Sequence, residues 1–266
     1  MLKNKVEELV DKYLDEVISI RRYLHQNPEL SLKEFNTAEF IVKELNKIGL
    51  DAQRGRENNG VVSNLNLGKG KKTLMLRADM DALPIQEETN FEFKSKNPGV
   101  MHACGHDVHT SILLGVSKVL NEIKDEINGN VKFVFQPAEE NNPTGGAPLM
   151  IKEGVLKNPH VDNAVALHVW DYPIGTIALK PNAMMSESNR IFITIKGQAS
   201  HASKPHEGHD AIVCAAYLIT QLQTIVSRAI DPSDVVVLTL SKINGGVRYN
   251  VLPGEVSIEG TVRCSG

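Results

Sequence analysis

This sequence is short of several things, and each shortage excludes something. Its 266 residues contain three Cys, Cys104, Cys214 and Cys264, too few and too scattered for a disulfide framework. One Trp, five Tyr and seven Phe make up the aromatics, so a strongly aromatic ligand pocket is not expected. No apolar run approaches the roughly 18 residues that a membrane span requires. Residues 1–15 are charged and amphipathic, unlike a signal peptide. An excess of positive charge is also missing. The balance of 29 Lys and Arg against 32 Asp and Glu gives a net charge of −3, which argues against a nucleic-acid partner. The expectation is a protein of the reducing cytoplasm with no membrane and no nucleic acid to bind.

What is present supports a folded, enzyme-sized chain. Hydrophobic residues make up 41% and charged residues 23%, enough for a real core in one large or two modest domains. Apolar spacing predicts a helix over 4–25, stopped by Asn27-Pro28, and a second from an N-cap at Asn36 to Gly49. A strand over 61–67 should close at Gly68-Lys69-Gly70. Three short apolar strands then run into polar residues. Residues 73–76 lead to Asp79 and Asp81, 131–135 to Glu139 and Glu140, and 164–167 to His168. Helical stretches over 110–127 and roughly 145–153 separate them. This alternation predicts an α/β fold with a mixed, mostly parallel sheet, and such sheets bind ligands at the carboxyl ends of their strands.

The densest chemistry lies in His102-Ala103-Cys104-Gly105-His106-Asp107-Val108-His109-Thr110. Imidazole and thiolate bind borderline metals such as Zn²⁺, and Asp ligates or orients a ligand. Cys104 and His106, two apart, are placed to share a metal or to bind two neighbouring ones. A structural zinc knot would show a second paired-ligand motif, and none is present. With Asp79, Asp81, Glu139, Glu140 and His168 at the same sheet edge, a metal site is the expected outcome.

After Pro173 the texture changes. A strand over 189–196, a helix over 210–229 with Ile212, Ala215, Leu218, Leu222, Ile225 and Val226 inward, and strands over 235–243 and 255–263 form a β-α-β-β run. This predicts a separate two-layer α+β sandwich over 183–266, following a catalytic domain over 1–182.

These motifs resemble the M20 metallopeptidase family. The resemblance is carried by Arg77-Ala-Asp-Met-Asp-Ala-Leu-Pro84, Met101-His-Ala-Cys-Gly-His-Asp-Val-His-Thr110, Phe135-Gln-Pro-Ala-Glu-Glu140, Leu167-His168 and Gly197-Gln-Ala-Ser-His-Ala-Ser-Lys-Pro-His206. It covers nearly the whole chain and is most similar to the branch that hydrolyses hippurate, N-acyl-amino acids and indoleacetyl-amino acids. It implies a two-metal amidohydrolase with an inserted, dimerising lid. The ions would be Mn²⁺ or Zn²⁺, with Co²⁺ or Ni²⁺ as substitutes. By position, Cys104 would bridge the metals, and His106, Glu140 and His168 would be the other ligands. Glu139 would be the general base. Asp79, Asp81 and Asp107 would orient ligands, with helix capping the other reading of Asp107. His201 would reach the partner subunit's site and Asn250 would meet the substrate.

The expected reaction is removal of an acyl group from an N-acyl-L-amino acid by a homodimer. Deacetylation of N-acetyl-diaminopimelate and a non-catalytic metal-binding role are the alternatives. Arg248, Tyr249 and the run Asn141-Asn142-Pro143-Thr144 depart from the family pattern, which leaves substrate range open. The family's last ligand, a His far downstream, has no counterpart after His209. The chain is therefore expected to be a C-terminally truncated piece, with both domains incomplete and activity weak or absent.

Overall fold

The computed structural model describes residues 2–65, 72–141, 144–182 and 184–264. The expected closing turn at Gly68-Lys69-Gly70, and Asn142-Pro143, lie outside the described residues. The chain forms two compact units, Met1–Asp171 and Tyr172–Gly266, dividing ahead of the expected 182/183 boundary.

The first unit opens with α1 (Leu2–Gln26) and α2 (Phe35–Lys47), followed by β1 (Ala52–Arg54), β2 (Val61–Leu65) and β3 (Thr73–Asp79). Then come α3 (His106–Glu122), β4 (Asn130–Gln136), α4 (Ala147–Lys152) and β5 (Asn163–Ala166). The five strands form one sheet in the order β1-β2-β4-β3-β5. β4 pairs parallel to β3, and β3 parallel to β5, while β1–β2 and β2–β4 are antiparallel. The sheet is thus mixed, with its parallel half on the side of β5. β4 sits in the middle and is buried on both faces, which is why it reads as a nearly unbroken apolar run. Phe133 and Phe135 from β4 meet Ile41 and Leu45 of α2, Leu114 of α3 and Leu24 of α1 in the core.

Two helix starts differ from the spacing-based expectation. α2 is not capped by Asn36. It begins one residue earlier, and the Glu29 carboxylate takes the free N–H groups, accepting from Asn36 N at 3.2 Å and Thr37 N at 2.8 Å. An acid outside the helix does the work of a cap. α3 begins at His106 rather than Thr110, so the metal-type cluster is partly inside the helix. His106 and His109 consequently share a face at i, i+3. Gly105 makes this start possible with φ +80, and a Cβ there would lie 2.3 Å from Val169 Cγ2, so only glycine fits.

The second unit contains β6 (Glu187–Lys196), β7 (Ser200–His201), α5 (Ala211–Thr224), β8 (Val236–Gly245), β9 (Val251–Leu252) and β10 (Glu255–Cys264). β6, β10 and β8 form an antiparallel sheet in that order, and α5 packs on it through Ala211 and Ala215. The inward face of α5 is 211, 215, 219 rather than one including Ile212 and Ile225, which are exposed. Asp210 caps the helix, its Oδ1 accepting from Ile212 N and Val213 N at 2.9 and 3.0 Å. Continued by a π-helical turn over Ile225–Ala229, α5 becomes a 19-residue stretch, Ala211–Ala229, with mean hydropathy 1.2. This corrects the expectation that no apolar stretch reaches spanning length. The stretch passes on length and composition, although its small residues Ala211 and Ala215 are buried against a β-sheet as in a two-layer unit.

Candidate metal centre

The parallel register fixes where the reactive side chains emerge. Asp79 is opposite Gln136, and Arg77 is opposite both Val134 and Ala166. β3, β4 and β5 therefore end together. Asp79 closes β3, Glu139 and Glu140 follow β4, and His168 follows β5. The start of α3 brings Cys104, His106 and His109 to the same edge. Three overlapping clusters result, Cys104–His106–His168, His106–Glu139–Glu140 and Asp79–His106–His109, each with ligand atoms within 4.8 Å of one another.

His106 joins all three and is fully buried. Its Nδ1 faces Asp81 Oδ1 at 3.2 Å. Its Nε2 is buried with no hydrogen-bond partner. Around that nitrogen stand Asp79 Oδ1 at 3.7 Å, Glu140 Oε1 at 3.9 Å and Glu139 Oε2 at 4.0 Å, too far to share a hydrogen. A buried imidazole nitrogen ringed by carboxylate oxygens has the makings of a cation site. Burial pulls the His106 pKa down, but the Asp81 bond and the charges of Asp79, Asp81 and Glu139 prevail and raise it.

His168 supplies a second nitrogen to the cluster. Its Nδ1 lies 2.5 Å from Val169 O, which makes Nδ1 the protonated atom. Its Nε2 is left as an acceptor and faces Cys104 Sγ at 3.4 Å, within reach of the thiol hydrogen. Burial first, and then Glu140, push the Cys104 thiol up to about 12. Such a thiol ionises only beside a strong positive charge, which a metal ion provides. A donor set of one thiolate, two imidazoles and the Glu140 carboxylate suits divalent metal ions.

Glu139 and Glu140 are adjacent but differently held. The backbone N–H of Glu140 donates to Asp81 Oδ2 at 3.0 Å. Among the described residues, the Glu139 side chain has no hydrogen-bond or ion-pair partner shorter than its 4.0 Å approach to His106. Burial, followed by the Glu140 charge, raises Glu139 above the ordinary carboxylate range, which favours a proton acceptor near neutral pH.

The carboxylates expected to orient ligands divide their tasks. Asp81 receives His106, the Ser31 hydroxyl at 2.6 Å and Glu140 N. Asp79 takes His109 Nδ1 and Arg77 Nη1, each at 2.6 Å. Burial opposes its charge, but these contacts hold its pKa well below the usual carboxylate range. Asp107 points elsewhere, to His25 Nδ1 at 2.8 Å and Arg21 Nε at 2.9 Å, and touches none of the ligand atoms. In the second unit, His201 and Asn250 are neighbours across a short ladder. His201 pairs with Val251, and Ala202 N donates to Asn250 O at 3.0 Å. The His201 ring is exposed and bonds Ser203 Oγ at 2.8 Å.

Sequence reasoning missed the contributions of Ser31, Glu34 and Arg77. Each acts through a carboxylate or a backbone amide rather than on a ligand atom; Arg77 opens the Arg77–Pro84 motif, whereas Ser31 and Glu34 carry no motif spacing.

The model of peptidase family M20/M25/M40 matches residues 75–259. An N-acyl-L-amino acid amidohydrolase of Geobacillus stearothermophilus is 45% identical over 99% of this chain and 70% of its own length. An N-acetyldiaminopimelate deacetylase of Priestia megaterium is 41% identical over 94% of this chain and 66% of its own. Among solved structures, the Bacillus subtilis YXEP protein, a dinuclear metal binding peptidase from the M20 family, superposes with a TM-score of 0.80. It is 34% identical, with 96% of this chain and 65% of that chain covered. The chain thus spans about two-thirds of the length of these relatives. With the motifs, the sheet edge and the ligand cluster all in agreement, this chain belongs to peptidase family M20/M25/M40.

Proposed function

We propose that the protein is a two-metal amidohydrolase that removes the acyl group from N-acyl-L-amino acids. The observation that carries this reading is the unpartnered, buried Nε2 of His106 among Asp79, Glu139 and Glu140. Cys104, His106, Glu140 and His168 would hold two divalent ions, Mn²⁺ or Zn²⁺ in the first place. When bound, such ions polarise an amide carbonyl and lower the pKa of water. Glu139 is the proton acceptor and passes the proton to the leaving amine, because it is raised in pKa and not tied to a neighbour. Asp81 fixes the His106 ring, so that Nε2 rather than Nδ1 would be the nitrogen offered to an ion. Asn250 and His201 belong to the substrate side, His201 serving a partner subunit in a homodimer built through the second unit. The free cysteines fit a reducing, cytoplasmic setting.

A second reading within the same chemistry, deacetylation of N-acetyl-diaminopimelate, is favoured by the relatives of that name. Initial rates of the whole metal-loaded protein on acetyl-, benzoyl- and indoleacetyl-amino acids and on N-acetyl-diaminopimelate separate the two. Hydrolysis of none of them would overturn both.

A further inference from the structure

The turn that presents Glu139 and Glu140 is strained, and its support comes from far away in sequence. Ala138 has φ +51, a left-handed conformation that a residue with a Cβ adopts at a cost. Its N–H donates to Glu34 Oε1 at 2.7 Å, and its C=O accepts from Gly146 N at 3.0 Å. Glu34 is itself fully buried. Its second oxygen accepts the Asn59 amide at 3.0 Å, and Asn59 Oδ1 in turn accepts from Arg54. A buried carboxylate with no cation touching it is costly. Burial raises its pKa even though Asn59 and the backbone N–H groups of Glu34, Ala138 and Leu32 counter it. An apolar residue at this place would leave the Ala138 and Asn59 donors without an acceptor. Toward the reactive edge the carboxylate holds the N–H of Ala138, the residue directly before Glu139.

The structure assigns Glu34 as a positioning residue that clamps the Ala138 amide and so aims the Glu139–Glu140 pair at the metal centre. The same strap reaches the site a second time, through Ser31 Oγ on Asp81, which also holds Glu140 N. Residues 31–34 thus grip the pair from both of its amide ends. The inference rests on the two-metal reading, because only there does the aim of the pair matter.

Two readouts test it, and neither needs turnover. The first is amide hydrogen exchange of the 136–141 segment in the metal-free chain, and the second is the Co²⁺ affinity read from visible absorption. Glu34→Gln keeps one acceptor but cannot satisfy both Ala138 N and Asn59, whose own oxygen is held by Arg54. The variant should exchange the segment at least tenfold faster and bind Co²⁺ roughly tenfold more weakly. Ala138→Gly relieves the left-handed strain, so adding it to Glu34→Gln should recover at least threefold of the lost affinity. A role confined to general packing would lower the melting temperature without such rescue. Unchanged exchange, or faster exchange with unchanged affinity, overturns the assignment. If Glu34→Gln fails to fold, Asn59→Ala removes only the support of the carboxylate and must shift both readouts in the same direction. If the wild-type chain takes up no Co²⁺, the two-metal reading falls, and the clamp falls as a site-directed device even where exchange shows that it holds the turn.

Discussion

His109 gives its Nδ1 hydrogen to Asp79 Oδ1 at 2.6 Å, and this bond decides which histidine of the Cys104–Thr110 run is open to a ligand. The other nitrogen of His109, Nε2, accepts Val169 N at 2.9 Å, so both ring positions are committed. Although the Asp79–His106–His109 cluster has metal-like spacing, His109 is a brace between β3 and the segment after β5.

The first prediction follows directly. His106→Ala should abolish Co²⁺ binding at one position. His109→Ala should preserve the ratio of metal to protein while lowering stability by about 2 kcal/mol, the usual cost of orphaning buried partners of a charged hydrogen bond. Elemental analysis and urea unfolding read the two effects. Loss of a metal in the His109 variant would count against the brace.

The adjacent glutamates should separate in the same way. Glu139→Gln is expected to reduce turnover by the whole metal-loaded protein at least roughly a hundredfold with metal content intact. Glu140→Gln should lose metal as well, since Glu140 faces both His106 and Cys104. Equal metal loss in both variants would show that the roles are assigned wrongly.

Much of this edge was legible because strand ends and charged residues coincide in the sequence. Three apolar runs leading to Asp79, Glu139 and His168 align in the sequence alone, and β3, β4 and β5 do end together. The start of α3 was harder to see. His106 and Asp107 are poor helix formers, and the helix begins there only because Gly105 takes φ +80 and Asp79, Asp81, His25 and Arg21 receive the polar side chains of the first turn. The cap of α2 was hidden for a related reason, since Glu29 reaches it across a non-local turn. Carboxylate contacts outside helical or strand spacing have no sequence period, so neither Glu29 nor Glu34 stood out. In the second unit the exposed Ile212 and Ile225 misled an apolar count, whereas Ala211 and Ala215 carry the contact.

A pH prediction rests on His25. Its hydrogen bond to Asp107 raises its pKa above 6.5, aided by Asp107 and Glu87 and opposed by burial and Arg21. A raised folded value means that the pair stabilises fully below about pH 6.5, and that this contribution fades as pH rises through the folded value. The neighbouring His102 works the other way. Burial lowers it to about 4, so its contribution is lost as pH falls from about 6.5. Substituting His25 isolates the first effect. Urea midpoints of wild type and His25→Gln, measured from pH 5 to 9, should converge as pH rises above 6.5. Parallel curves across that range would show that folding leaves the His25 pKa unchanged.

Lys132 gives the last prediction. It lies in the central strand β4 and is 1% exposed, yet its ammonium meets three carbonyls, Val155 O at 2.7 Å, Lys157 O at 2.8 Å and Pro159 O at 3.0 Å. Those carbonyls belong to the segment leading into β5, and His168 follows the end of β5. Burial lowers the lysine pKa, so the ammonium is held there against its own desolvation. Two opposed effects therefore decide what Lys132→Met does. The variant escapes the desolvation of a charge, which favours it, but it leaves three acceptors without donors at about 1 kcal/mol or more each. Because the three carbonyls converge on one point and the thioether offers none of them a hydrogen, the loss should prevail by about 2–3 kcal/mol. The segment 155–168 should then loosen, and Co²⁺ affinity should fall through His168 while His106 stays in place. Urea unfolding together with hydrogen exchange of 155–168 measures both parts. A variant as stable as wild type, with 155–168 equally protected, would show that the lysine is tolerated in the sheet rather than used by it.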